Sequence, residues 1–186
     1  MEANPPVKKS IGVSRTFSRG IDDLQALHEA LSSYVERASE KLRKDGLRAE
    51  VMEVYGMSNR FHKADFYYNT ATFRFPVSTS DSSERIKGAF AAFETVYREN
   101  IPFKKLGLHL REITREKPEQ TLLFDKIDRD QSCALMKALD DVNSKMETRT
   151  INYASSGLSQ PKRWRTEFNL KSPAYTTRWD ELLRVL

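Results

Sequence analysis

The sequence predicts an α+β fold: a four-stranded, mainly antiparallel sheet with two helices on one face, in the order β-α-β-β-α-β. A linker and a small C-terminal domain follow. Three observations lead there. Apolar residues recur at spacings of three and four across residues 21–44 and again across 83–100, the signature of helices with one buried face. Residues 105–113 instead alternate strictly between apolar and polar, the signature of a strand buried on one side.

The elements follow in order. Residues 1–7, with paired prolines, read as a leader. Residues 8–17 (KKSIGVSRTF) mix β-branched and aromatic residues and predict a strand. In the helix predicted over 21–44, Leu24, Leu27, Leu31, Tyr34, Val35, Ala38 and Leu42 make the apolar face. Asp22 and Asp23 suit its first turn, Lys41, Arg43 and Lys44 its last, and Gly46 its end. Strands are expected at 47–57 and 66–77, separated by a loop over 58–65. Pro76 and the run STSDSS close the third strand. The helix over 83–100 presents Ile86, Ala89, Phe90, Phe93, Val96 and Tyr97, with Ser82 or Ser83 as its N-cap. In the fourth strand Leu106, Leu108 and Leu110 face the core, while Lys105, Gly107, His109 and Arg111 face away. That outer face, to which Lys9, Arg15 and Arg74 are also assigned, is either a cationic binding surface or the ordinary wet side of a half-buried sheet.

The chain divides into four parts: a leader (1–7), the α+β unit (8–114), a polar linker (115–130) and a C-terminal unit (131–186). The C-terminal unit opens with a helix over 131–146 carrying Leu135, Met136, Leu139 and Val142. A short strand is expected at 151–154 and a short helix at Asp180–Glu181. Trp164 and Trp179 are expected to form a small core. Inside the linker, PEQTLLFD (118–125) is apolar at its centre, too short for a helix and without strand alternation.

Composition narrows the chemistry. Thirty-one Lys and Arg against 26 Asp and Glu give a net charge of +5, which favours an acidic partner such as nucleic acid. The lone Cys133 excludes a disulfide framework and a Cys-rich zinc site, and reads as a small hydrophobe on a helix face. No apolar run reaches the roughly 18 residues that span a bilayer, and a cytoplasmic location is the expectation. The acidic pairs Asp22–Asp23, Asp140–Asp141 and Asp180–Glu181 have no partner at metal-ligand spacing. His28, His62 and His109 are scattered over separate elements, His28 as a packing residue. Nucleophile-elbow, Walker and G-x-G-x-x-G patterns are absent. The residues point to a binding module without a cofactor of its own.

Three stretches in order carry a family resemblance: KKSIGVSRTF (8–17), QTLLFD (120–125) and SPAYTTRWDEL (172–182). Together they resemble the C-terminal part of the UmuC-type, error-prone Y-family DNA polymerases of the bacterial SOS response, from about residue 8 to the end. The resemblance implies a little-finger-like DNA-binding domain that grips primer-template phosphates without reading sequence. By position it assigns Lys8, Lys9, Ser10, Ser14 and Arg15 on the first strand and Lys105, His109 and Arg111 on the last; Arg74 joins these DNA-binding candidates from the reading of the sheet's outer face. Gly12 becomes either a point of close DNA approach or a strand bulge.

The same resemblance makes Gln120, Leu122, Leu123 and Phe124 a sliding-clamp-binding peptide, with Thr121 departing from the usual leucine. It implies an accessory UmuD′-like subunit and the RecA filament as further partners, and no membrane. The family's palm carboxylates, which hold magnesium for two-metal nucleotidyl transfer, have no counterpart in these 186 residues. The resemblance therefore implies an inactive fragment for DNA binding and clamp docking. The alternatives are a stand-alone clamp-binding decoy or regulator, and an unrelated basic domain that binds RNA.

Overall fold

The computed structural model describes residues 8–61, 66–115, 127–146, 150–157, 164 and 172–182. Its elements are β1 (Ile11–Ile21), α1 (Leu24–Lys44), β2 (Leu47–Met57), β3 (Tyr68–Thr79), α2 (Ser82–Val96), β4 (Phe103–Arg115) and α3 (Arg129–Lys145). Single-turn 3₁₀ helices follow at Ala154–Ser156 and Trp179–Glu181. The strands form one sheet in the order β1-β4-β2-β3, and all three pairings are antiparallel. The α+β class and the β-α-β-β-α-β order stand as the sequence predicts.

Periodicity decides which face is covered. On β4, Leu106, Leu108 and Leu110 are buried, and they meet Leu27, Leu31 and Leu42 of α1 and Ile86, Phe93 and Val96 of α2 in one core. Each fully buried leucine contributes roughly 1.5–3 kcal/mol relative to exposure. Both helices pack on this side. Among the described residues, no helix covers the other face of the sheet.

Element ends differ from the sequence reading, and each difference has a local cause. Ile21 closes β1 rather than opening a helix: it pairs with Phe103 across a register shift that follows Thr16. Asp23 is the N-cap of α1, its carboxylate accepting from the backbone N–H groups of Gln25 and Ala26 at 3.3 Å. Asp81, not Ser82 or Ser83, caps α2, accepting from Ser83 and Glu84. The carboxylate reaches two orphan N–H groups, and Ser82 is instead buried beside Arg43. Helix α2 stops at Val96, short of Asn100, which has a positive φ of 61°.

Helix α3 lies against the start of α2 and the end of α1. Arg43 donates twice to Asp140, at 2.6 and 2.8 Å, and also to the Ser80 carbonyl and the Ser82 hydroxyl. Arg129 pairs with Glu84 at 2.8 Å, and Ser132 donates to Asp81. Met136 is the one buried residue of α3 and sits over Ser82. Leu135 and Cys133, expected on the packed face, are exposed. No strand forms at 151–154. The N–H and C=O of Ile151 are taken by the Asn143 side chain at 2.9 Å each, so this backbone is satisfied without a strand partner. Trp164 is buried against Tyr34, but Trp179 is 90% exposed; the two do not form a shared core.

Candidate nucleic-acid interface

The open face is built by register. Cross-strand neighbours on it are Gly12 with His109, Ser14 with Gly107, and Thr16 with Lys105 between β1 and β4. Between β2 and β4 they are Glu53 with His109, Tyr55 with Gly107, and Met57 with Lys105. Tyr68 and Thr70 of β3 stand opposite Met57 and Tyr55.

Two rings lie flat across this surface. The Tyr55 ring lies over Gly107, where an added Cβ would stand 2.7 Å from the phenol. The His109 ring lies over Gly12, where a Cβ would stand 2.8 Å from Nδ1. The two rings stack, 5.3 Å between centroids and 15° from parallel. Gly12 pairs in regular register, so it is not a bulge; what approaches it closely in this structure is an imidazole. Two glycines thus let two rings lie down.

The cations on this face fall into two groups. Arg111 pairs with Glu53 at 2.9 Å. Arg74 bridges Glu50 and Glu112, the latter at 2.8 Å, and both bonds hold its guanidinium above the ordinary value. Glu112 adopts a φ of 51° at this point, an uncommon conformation for a residue with a side chain. Lys105, in contrast, extends over the Tyr55 ring with its Nζ 5.9 Å from the centroid. Neither Glu53 nor Glu112 stood among the residues expected to matter. Their partners stand on neighbouring strands, so periodicity along one strand gives no signal for them.

Other expected contacts lie elsewhere. Arg15 pairs with Leu106 and falls between Val13 and Phe17 on the helix side of edge strand β1. It therefore leaves the open face and lines a cleft of about 820 Å³ with Tyr34, Arg37, Tyr153 and Trp164. Period-two alternation dictates this once Ile11, Val13 and Phe17 are buried. Burial pushes the Tyr153 phenol up to about 12 in that cleft, helped by Asp81 and opposed by Arg43. Lys8 forms an ion pair with Asp45 at 2.5 Å. Lys9 and Ser10 are exposed just before β1. Gln120, Leu122, Leu123 and Phe124 lie outside the described residues, as does His62. No helix among the described residues is long and apolar enough to cross a membrane.

At the β2–β3 end of the face stand residues that the sequence reading passed over. Ser58 and Tyr67 close the base of the turn, with Ser58 N–H donating to the Tyr67 carbonyl at 2.9 Å. Phe61 is 79% exposed, Tyr68 54% and Phe66 46%. The Arg60 guanidinium lies 5.2 Å from the centre of the Phe61 ring.

The sequence model of the impB/mucB/samB family C-terminal domain matches residues 8–123. The chain belongs to this family. Residues 133–185 match a second family model, a domain of unknown function (DUF4113). Among curated proteins the chain is similar to Protein UmuC of Salmonella typhimurium, 32% identical over all of this chain and 44% of that protein. It is also similar to Protein ImpB of Salmonella typhimurium, 33% identical over 98% of this chain and 43% of the relative. Protein MucB of Escherichia coli is 31% identical over 96% and 42%. The chain thus spans less than half the length of these relatives. A solved complex of the beta-clamp processivity factor and the little finger domain of PolIV aligns with 62% of this chain and 99% of that one, at 23% identity and a TM-score of 0.39. The UmuC-type group the sequence resembles is the one to which the family and its relatives belong.

Proposed function

We propose that this chain is the DNA-gripping and clamp-docking portion of a translesion DNA polymerase of SOS mutagenesis and DNA repair. Residues 8–114 act as the grip, 115–130 hold the docking peptide, and 131–186 form a C-terminal unit. Nucleotidyl transfer and its magnesium belong to a palm outside these residues, and the chain alone is not an enzyme. The work is done in the cytoplasm.

The observation that supports this best is the pair of rings laid over glycines on the sheet face that the helices leave uncovered. Rings laid over Gly12 and Gly107, with Ser14 opposite Gly107, admit a bulky polyanion; Lys105 and His109 meet its phosphates, and Arg111 joins them when it exchanges Glu53 for phosphate. Such contacts are sequence-indifferent. Lys8, Lys9 and Ser10 extend the contact line beyond the start of β1. In the linker, Gln120 would hydrogen-bond at one edge of the clamp pocket while Leu122, Leu123 and Phe124 fill it. A UmuD′-like subunit and the RecA filament are assigned to the C-terminal unit.

Two titrations test this. Fluorescence anisotropy with a labelled duplex should show binding that weakens steeply between about 50 and 200 mM salt; binding indifferent to salt removes the phosphate grip. Titration with a bacterial sliding clamp should show binding that is lost when Gln120, Leu123 and Phe124 are all changed to Ala. Equal clamp binding by that variant removes the docking peptide.

A further inference from the structure

We propose that the β2–β3 end of the open face receives unpaired bases, so that the chain binds single-stranded DNA there as well as gripping duplex. This rests on the DNA-binding reading above and names a second form of the same ligand. The face is divided electrically and by texture. At one end Arg74 and Arg111 are held by Glu50, Glu112 and Glu53. At the other, Lys105 and Arg60 contact rings rather than carboxylates. Tyr68 stands on the face at that end, opposite Met57, and the chain between β2 and β3, just beyond it, carries the exposed rings Phe61 and Phe66. Tyr68 sits 6.5 Å from Tyr55 between ring centroids, on the strand next to it.

Paired cations attract phosphate weakly, while cations resting on rings remain available to it. Exposed rings beside such cations match the chemistry of single-stranded nucleic acid, whose phosphates follow a basic surface while each base lays its π-face on an aromatic side chain. Duplex DNA hides those base faces and gains nothing from the rings. An acidic protein segment would use the cations but leave three large apolar side chains unmatched. The phenol of Tyr68 and the ring of Phe61 discriminate poorly among bases, so the binding is indifferent to sequence.

The test uses the full chain with two labelled ligands, an oligothymidine and a hairpin duplex with the same number of phosphates, read by anisotropy in the same salt. Phe61→Ala and Tyr68→Ala should each weaken oligothymidine binding about tenfold, and leave duplex binding within about twofold. Phe61→Tyr should keep the single-strand affinity, because it keeps the ring. Both positions are exposed, and circular dichroism melting verifies that each variant folds. Unchanged oligothymidine binding in the alanine variants overturns the proposal, as does an equal loss on both ligands. Wild-type chain that binds duplex but not oligothymidine overturns it while leaving the grip intact. Binding to neither ligand removes the DNA reading and this proposal together.

Discussion

The imidazole of His109 lies so close over Gly12 that a methyl group there would stand 2.8 Å from Nδ1. Gly12→Ala must therefore lift the ring off the sheet and off Tyr55. The expected cost is about 1–3 kcal/mol of stability, typical of overpacking, together with weaker duplex binding. The double change Gly12→Ala with His109→Ala relieves the clash, so its urea-unfolding midpoint should recover relative to Gly12→Ala alone. A double-mutant cycle with no coupling energy would show that the ring moves aside freely.

Glu53 holds Arg111 at 2.9 Å on the open face. Glu53→Gln should free that guanidinium for phosphate, tightening duplex binding at low salt and steepening the log–log salt dependence by up to about 0.9. Lys105→Ala should flatten it by a similar amount. Anisotropy titrations at four salt concentrations measure both slopes. A slope that ignores Lys105 would take that residue out of the phosphate contacts.

Arg43 and Asp140 join α1 to α3 through two parallel hydrogen bonds, and their side chains are only 11% and 24% exposed. Asp140→Ala leaves Arg43 with Ser80 and Ser82, and should cost about 1–2 kcal/mol. Arg43→Ala strips the partners from Asp140, the Ser80 carbonyl and Ser82 at once, and should cost about 3 kcal/mol. Urea unfolding followed by far-ultraviolet circular dichroism orders the two. Equal costs would mean that the loop contacts contribute nothing.

His28 stacks on Phe90 at 4.4 Å and meets Phe93 edge-on. Burial holds its imidazole below the ordinary 6.5, with Glu94 opposing. The unfolded chain then binds the proton more readily than the folded one. This contribution to stability is complete above pH 6.5 and is lost as pH falls through 6.5 towards the lower folded value. The urea midpoint should drop between pH 7.5 and 5.5, and His28→Phe should shrink that drop. An unchanged drop in the variant would place the acid sensitivity elsewhere.

Arg85 is fully buried, its Nη2 donating to the carbonyls of Ala49 and Thr79 where β2 and β3 lose register. Burial pushes its guanidinium down to about 9, with Glu84 and Asp81 opposing and Arg43 adding to the fall. Arg85→Ala opens a cavity and orphans two carbonyls, and should cost about 3–5 kcal/mol. A smaller loss in urea unfolding would show that the kinked strand closes over the gap.

Much of this architecture is legible in the chain. Strand β4 announces itself because Leu106, Leu108 and Leu110 alternate with polar residues, and burial has no other way to satisfy that pattern. Helix α1 is equally plain. What escapes is whatever depends on a neighbour. Arg15 reads as a surface cation until the burial of Val13 and Phe17 fixes its side of the strand. Arg74 and Arg111 read as available charge until Glu112 and Glu53 arrive from other strands. Ile151 reads as strand-forming because nothing local reveals that Asn143 takes both of its backbone groups. Gly12 reads as a point of close approach or a bulge, and Gly107 as one more outward position; the rings of His109 and Tyr55, with Ser14 beside Gly107, show why each is glycine.

The contacts of α3 also say how the protein behaves once cut. Arg43 with Asp140, Arg129 with Glu84, and the seat of Met136 all cross from α3 to the sheet-and-helix body. A protease that nicks the backbone between residues 115 and 127 would leave two peptides still held by these pairs. They should elute together from a sizing column in dilute buffer and in concentrated salt alike, because these pairs are largely buried and so weakly screened, and Met136 and Trp164 add apolar burial.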